Sequence, residues 1–253
     1  MHRQAALGRS LLALALLLFA AQHIFYATGS SLPPIGPPWL TGNPLWAWLT
    51  AGLLALTAAS LVTGRRIALV TSIAGSVILL YGIACYLPAL VDKITAPGPW
   101  TSGAELVSLG GALVACSGSS RDPERSTALS AETVFRVGTL LYAVPLLVFA
   151  AQHFIYAQFV ATLVPAWIPF HLFWAFAVGA GFVAAAASLI FDRMAWWGAT
   201  LLGVQFLLWV VILHLPRALA ATPSGNEWTS LGVALAMGGS AWLIAAGSRP
   251  ATG

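Results

Sequence analysis

Two short stretches of this chain bring together side chains able to hold a proton or to hydrogen-bond a ligand. AAQHIFYA (20–27) carries Gln22, His23 and Tyr26, and AAQHFIYA (150–157) carries Gln152, His153 and Tyr156. On a helix, residues three and four apart share a face, so Tyr26 would meet both Gln22 and His23. Imidazole, phenol and amide each donate and accept hydrogen bonds. Such a set suits the carbonyl oxygens of a lipid-soluble ligand, of which a quinone is the leading class. It also suits an interhelical hydrogen-bond cluster at the edge of a bilayer, where such bonds average only about 0.6 kcal/mol. The residues leave both readings open.

His171 and His214 add two imidazoles to the second stretch. Neutral imidazole suits Zn, Cu and Fe, so zinc, copper and haem come into question. No cysteine or close carboxylate completes a set with His153, and the HExxH spacing is missing. Asn43 and Tyr86 stand where a first-half counterpart would need His171 and His214. A haem held between His23 and His153 is geometrically conceivable, but no metal is assigned. Glu105 is a lone carboxylate on an apolar segment, and the corresponding later residue is Val233. It reads as a side chain reaching the headgroups, with proton carriage as the alternative. There is no P-loop, Rossmann glycine pattern, nucleophile elbow or CxxC, so no catalytic residue is assigned.

The elements that must position these residues are read from hydropathy. Of 253 residues, 59% are hydrophobic and 7% charged, and mean hydropathy is +0.88. A soluble domain carries about 25% charged residues, so most of the outer surface must face lipid. Spanning the roughly 30 Å hydrocarbon core takes about 20 apolar residues in a helix. Eight stretches fit, near 10–28, 45–63, 67–88, 102–118, 136–157, 171–191, 195–215 and 229–247. The fold class is therefore all-α, a polytopic membrane protein of eight transmembrane helices. The N-terminus, basic and then apolar, resembles a secretory signal. Its second copy in mid-chain argues instead for a retained first helix. Cys85 and Cys116 fall near opposite membrane faces and read as packing residues.

The eight segments form two parallel four-helix repeats. The Gln-His match has an offset of 130, and the later matches an offset of 128. They include Pro37 and Trp39 with Pro165 and Trp167, Trp46 with Trp174, Leu87-Pro88 with Leu215-Pro216, and Trp100-Thr101-Ser102 with Trp228-Thr229-Ser230. Gly110-Gly111 likewise matches Gly238-Gly239, and small residues let helices approach closely in lipid. The boundaries are 1–118 for the first repeat, 119–135 for a cytoplasmic linker and 136–253 for the second repeat. An even helix count brings both repeats in from one side, related by an axis along the membrane normal.

Orientation follows from the basic residues. Arg3, Arg9, Arg65, Arg66, Arg121, Arg125, Arg136, Arg193 and Arg249 fall on one side, and only Lys93 and Arg217 on the other. Both termini are thus expected in the cytoplasm. Net charge is only +4 and forms no basic stripe, so no nucleic-acid partner is implied. His23 lies 14 residues beyond Arg9 and His153 lies 17 beyond Arg136, roughly 21 and 25 Å along a helix. That places both histidines in the outer third, with His171, His214, Arg217 and Glu227 at a similar level. The uncharged segments that follow, SSLPPIGPPWLTGNP and QFVATLVPAWIP, read as lids over the helix ends or as aromatic interfacial anchors.

AAQHFIYA, VPAWIPFHLFWAFAVG and HLPRALAATPSGNEWTSLGVALAMGG resemble the bacterial DoxX-like membrane proteins. The resemblance covers nearly all of the second repeat and, more weakly, the first. It implies four-helix units and a bacterial inner membrane. Through relatives associated with thiosulfate:quinone or quinol oxidation, it also implies a membrane redox partner or quinone at the outer face. The chain departs from the single-unit form in being a fused duplicate. Two alternatives are retained, a transporter for a small or lipidic solute and a non-catalytic assembly partner of a membrane complex. A central transport site would need polar residues near mid-membrane, and the sequence offers almost none.

Overall fold

The computed structural model describes residues 2–27, 44–120, 129–222 and 224–248. Among them every regular element is helical. The chain runs through α1 (His2–Ala27), α2 (Pro44–Thr63), α3 (Ile67–Asp92), α4 (Pro97–Ser119), α5 (Ala131–Ile155) and the short α6 (Ala157–Leu163). It ends in α7 (His171–Ile190), α8 (Ala195–Ala220) and α9 (Gly225–Gly247). The linker residues 121–128 and the expected lid at 28–43, with Pro37, Trp39 and Asn43, lie outside the described residues.

Seven of these helices are long and apolar enough to cross a membrane: α1, α2, α3, α5, α7, α8 and α9. The segment expected at 102–118 forms α4, which at 23 residues has the length but not the hydropathy. Its composition gives the reason. Pro97, Gly98, Pro99, Thr101, Ser102, Gly103 and Glu105 occupy its first turns, and Ala104, Ser108, Gly110, Gly111 and Ala112 are buried. A helix wrapped by α3, α5 and α9 meets protein rather than lipid, so small residues serve it better than leucines.

Close approach organises the packing. α1 lies along α2 and α9, and α4 lies along α3 and α5, while α5 also lies along α7. At the α1–α9 contact, a Cβ on Gly8 would stand 2.8 Å from Gly239 O. At the α4–α5 contact, a Cβ on Gly111 would stand 2.7 Å from Tyr142 N, and one on Gly138 would overlap the Ala115 backbone. Two buried clusters follow. Leu12, Leu16, Leu54 and Leu61 belong to the first, and Tyr142, Leu146, Phe182 and Leu189 to the second. Tyr142 is fully buried and its hydroxyl donates to Met237 O at 2.8 Å, tying α5 to α9.

Several helix limits differ from the sequence expectation. α5 starts at Ala131 rather than 136, because Ser130 Oγ accepts from Thr133 N at 3.1 Å and caps the helix. α8 does not stop near 215. It passes through a π turn at Val210–His214, with Leu215 N donating to Val210 O, and continues to Ala220. Pro216 has no N–H for the carbonyl four residues before it, and the wider turn carries the helix past it. Arg136, read only as an orientation charge, donates to Leu189 O at 2.6 Å and also to Ile190 O. It covers the last carbonyls of α7, which lack partners within the helix.

Candidate functional site

The two glutamines end in hydrogen bonds between helices. Gln22 Nε2 on α1 donates to Gly225 O and Thr229 Oγ1 at the start of α9, both at 3.1 Å. Gln152 on α5 turns to the start of α4, where Nε2 donates to Pro97 O and Oε1 accepts from Thr101 Oγ1, both at 3.1 Å. In the same first turns, the indole N–H of Trp100 donates back to Ile94 O at 2.8 Å and that of Trp228 to Thr222 O at 3.2 Å. The glutamines therefore join helices and keep little capacity for a ligand.

The histidines face elsewhere. His23 Nδ1 bonds Phe19 O and His153 Nδ1 bonds Phe149 O, both at 2.8 Å. A carbonyl only accepts, so each Nδ1 carries the hydrogen and each Nε2 keeps a lone pair. Neither Nε2 has a protein partner among the described residues. Both rings are half-buried. The His153 ring sets its edge to Phe182 of α7, centroids 5.2 Å apart and planes at 73°. Its Cβ faces Gly179.

The expected shared face is therefore divided in the second half, with Gln152 directed to α4 and His153 to α7. Tyr156 caps the end of α5 and its side chain is 37% exposed. The side chain of Tyr26 lies outside the described residues.

His171 opens α7, eight residues before Gly179, which sets it about 12 Å along the helix from the His153 level. His214 closes the π turn of α8. Among the described residues no three His, Cys, Asp or Glu side chains gather closely enough to hold a metal. Arg217 pairs with Glu227 through two hydrogen bonds, Nε to Oε2 at 3.0 Å and Nη2 to Oε1 at 2.7 Å. Glu105 forms no hydrogen bond or ion pair among the described residues. The segment after Tyr156 does not stand apart from the helices: Ala157, Ala161, Val164 and Ile168 are buried, and α6 lies on α7.

Sequence reasoning passed over Gln205. It stands on α8, twelve residues from both Arg193 and Arg217, about 18 Å along the helix from each. Its amide nitrogen is buried without a hydrogen-bond partner. An amide in the middle of the apolar run LLGVQFLLWVVIL was the available signal.

Compared with protein-family models, with curated proteins and with solved structures, the chain matches none.

Proposed function

We propose that the chain is a DoxX-like component of the bacterial cytoplasmic membrane that binds a lipid-soluble quinol or quinone at His23 and His153. In this reading it crosses the membrane eight times, with α4 as the eighth span, as the two repeats 1–118 and 136–253. Both termini are cytoplasmic. The matched bonds of Gln22 and Gln152 and of Trp100 and Trp228 support the duplication, as do the matched contacts at Gly8 and Gly138. Seven apolar helices support the membrane.

The observation that carries the ligand reading is the pair of imidazoles. Each is fixed through Nδ1 on a carbonyl at 2.8 Å, and each Nε2 is left as an acceptor. Such a nitrogen accepts a hydrogen bond from a quinol hydroxyl and takes one of the two protons released as the ring is oxidised, the second leaving to water at the outer face and the two electrons passing to a membrane redox partner. The test is a reduced-minus-oxidised absorption spectrum of the full chain in mild detergent, with quinone extraction. Wild type should carry a redox-active quinone, and His23→Phe with His153→Phe should lose it. A flat wild-type spectrum with no extractable quinone sinks the reading.

One observation favours a second reading, that of a non-catalytic assembly partner. Both glutamine amides are engaged inside the protein. That reading predicts a stable membrane complex carrying no ligand, seen as co-purification with a fixed partner and an empty extract.

A further inference from the structure

A cleft of about 410 Å³ opens between α7 and α8, and His153 is not among the residues that line it. Trp174, Ala177 and Val178 line one wall, and Gln205, Leu208 and Trp209 the other. The volume falls in the range of small-molecule sites, and an apolar lining with one convergent polar group is their usual character. Here the polar residue of the lining is Gln205, whose amide nitrogen lies buried behind the wall with no partner and reaches the cleft by turning. Water is not at hand to satisfy an amide at mid-membrane, and an unpaired N–H in hydrocarbon is costly. The indole N–H of Trp209 also makes no hydrogen bond among the described residues.

Two local features keep the amide adjustable. Gly181 of α7 faces it, and a Cβ there would overlap Gln205 Oε1. The terminal torsion of glutamine is broad and two-fold, so N–H and C=O can exchange places in that space. The π turn at Val210–His214 follows at once, and Ile212 within it also borders the cleft. π turns inside α-helices are found frequently at functional sites. At the offset of 128, Val77 stands for Gln205 and Leu53 for Gly181, so both the amide and the space beside it occur once.

We infer that this cleft is a membrane-facing binding site for an uncharged, largely hydrocarbon molecule whose carbonyl accepts a hydrogen bond from the Gln205 amide. Depth sets the class. Gln205 is about 18 Å along the helix from the flanking arginines, whereas the ester carbonyls of bilayer phospholipids stay at the edges of the roughly 30 Å core. The ligand must carry its carbonyl into the hydrocarbon, on a ring or along a chain. The site uses none of the outer histidines and stands independently of their reading.

The test uses the full chain in lipid nanodiscs and follows quenching of tryptophan fluorescence. Three probes are titrated: decylubiquinone for a ring carbonyl, a dibrominated long-chain ketone for a chain carbonyl, and the dibromoalkane of matching length. At least one carbonyl probe should bind saturably and more tightly than the alkane, and the tighter of the two identifies the source. Gln205→Leu should weaken it roughly three- to fivefold, the worth of one hydrogen bond, without changing the alkane. Gly181→Ala should weaken it too by crowding the amide. Gln205→Leu removes an unpaired group and should melt no lower than wild type, which separates lost binding from lost fold. All titrations use the His23→Phe, His153→Phe background, so that a quinone held at the outer histidines does not enter the signal. Equal binding of ketone, quinone and alkane, or a Gln205→Leu variant that binds like wild type, overturns the assignment.

Discussion

Gly138→Ala tests the packing that holds the two halves against each other. In α5 its Cβ would overlap the Ala115 backbone of α4, and neither atom belongs to a side chain that could rotate away. The helices must separate, and overpacking of this kind costs typically about 1–3 kcal/mol. The substitution also brings a favourable helix-propensity term of about 1 kcal/mol, which would blur the result by itself. Gly52→Ala supplies the control. Gly52 lies in α2, and a Cβ there meets nothing within 4 Å. Propensity is common to both substitutions, so their difference isolates the packing term. At about 2–4 °C per kcal/mol for a chain of this size, Gly138→Ala should melt roughly 2–12 °C below Gly52→Ala. Thermal unfolding in mild detergent, read by the eleven tryptophans, measures it directly. Equal melting of the two variants would refute the claim that glycine sets the α4–α5 distance.

Gln22→Leu and Gln152→Leu each remove two hydrogen bonds between helices. At about 0.6 kcal/mol per bond, each should lower stability in an SDS titration by about 1 kcal/mol, and by similar amounts. A loss confined to one of them would break the equivalence drawn between the halves. Arg136→Met should cost about 2 kcal/mol, since a charged donor leaves the last carbonyls of α7 and such bonds are worth about 1.5–3 kcal/mol. Thermal unfolding checks it, and a variant as stable as wild type would show the cap to be idle.

Much of the helical frame was legible because hydropathy decides it. The spans expected at 45–63 and 171–191 differ by one residue at an end from Pro44–Thr63 and His171–Ile190, where charged or proline-rich chain bounds the apolar run. The misplaced limits share a cause, that hydropathy marks where lipid is and not where hydrogen bonds stop. Ser130 caps α5 six residues before the apolar run begins. The apolar run ends near 215, but the π turn lets α8 continue past Pro216 to Ala220. α4 is the converse case: a full-length helix whose neighbours are protein, so its residues are small instead of apolar.

The polar residues were harder to read, because a shared face is not a shared partner. Gln152 and His153 are adjacent, so their side chains leave the helix about 100° apart. With helices on two sides of α5, one side chain meets α4 and the other α7. No spacing rule that ties each of them to Tyr156 reveals that divergence. Gln205 was hidden for a different reason. Its place in an apolar run is visible in the sequence, but the space that Gly181 leaves beside it exists only where α7 meets α8. Features occurring in both halves, such as the glutamine bonds, the tryptophan bonds and the close glycines, serve a task both halves share, which is to hold together. A feature occurring once has no counterpart to join. Gln205 with Gly181, where the other half has Val77 with Leu53, leaves a donor unpaired at a depth where packing alone would favour a hydrocarbon side chain, and that is the place to look for a ligand.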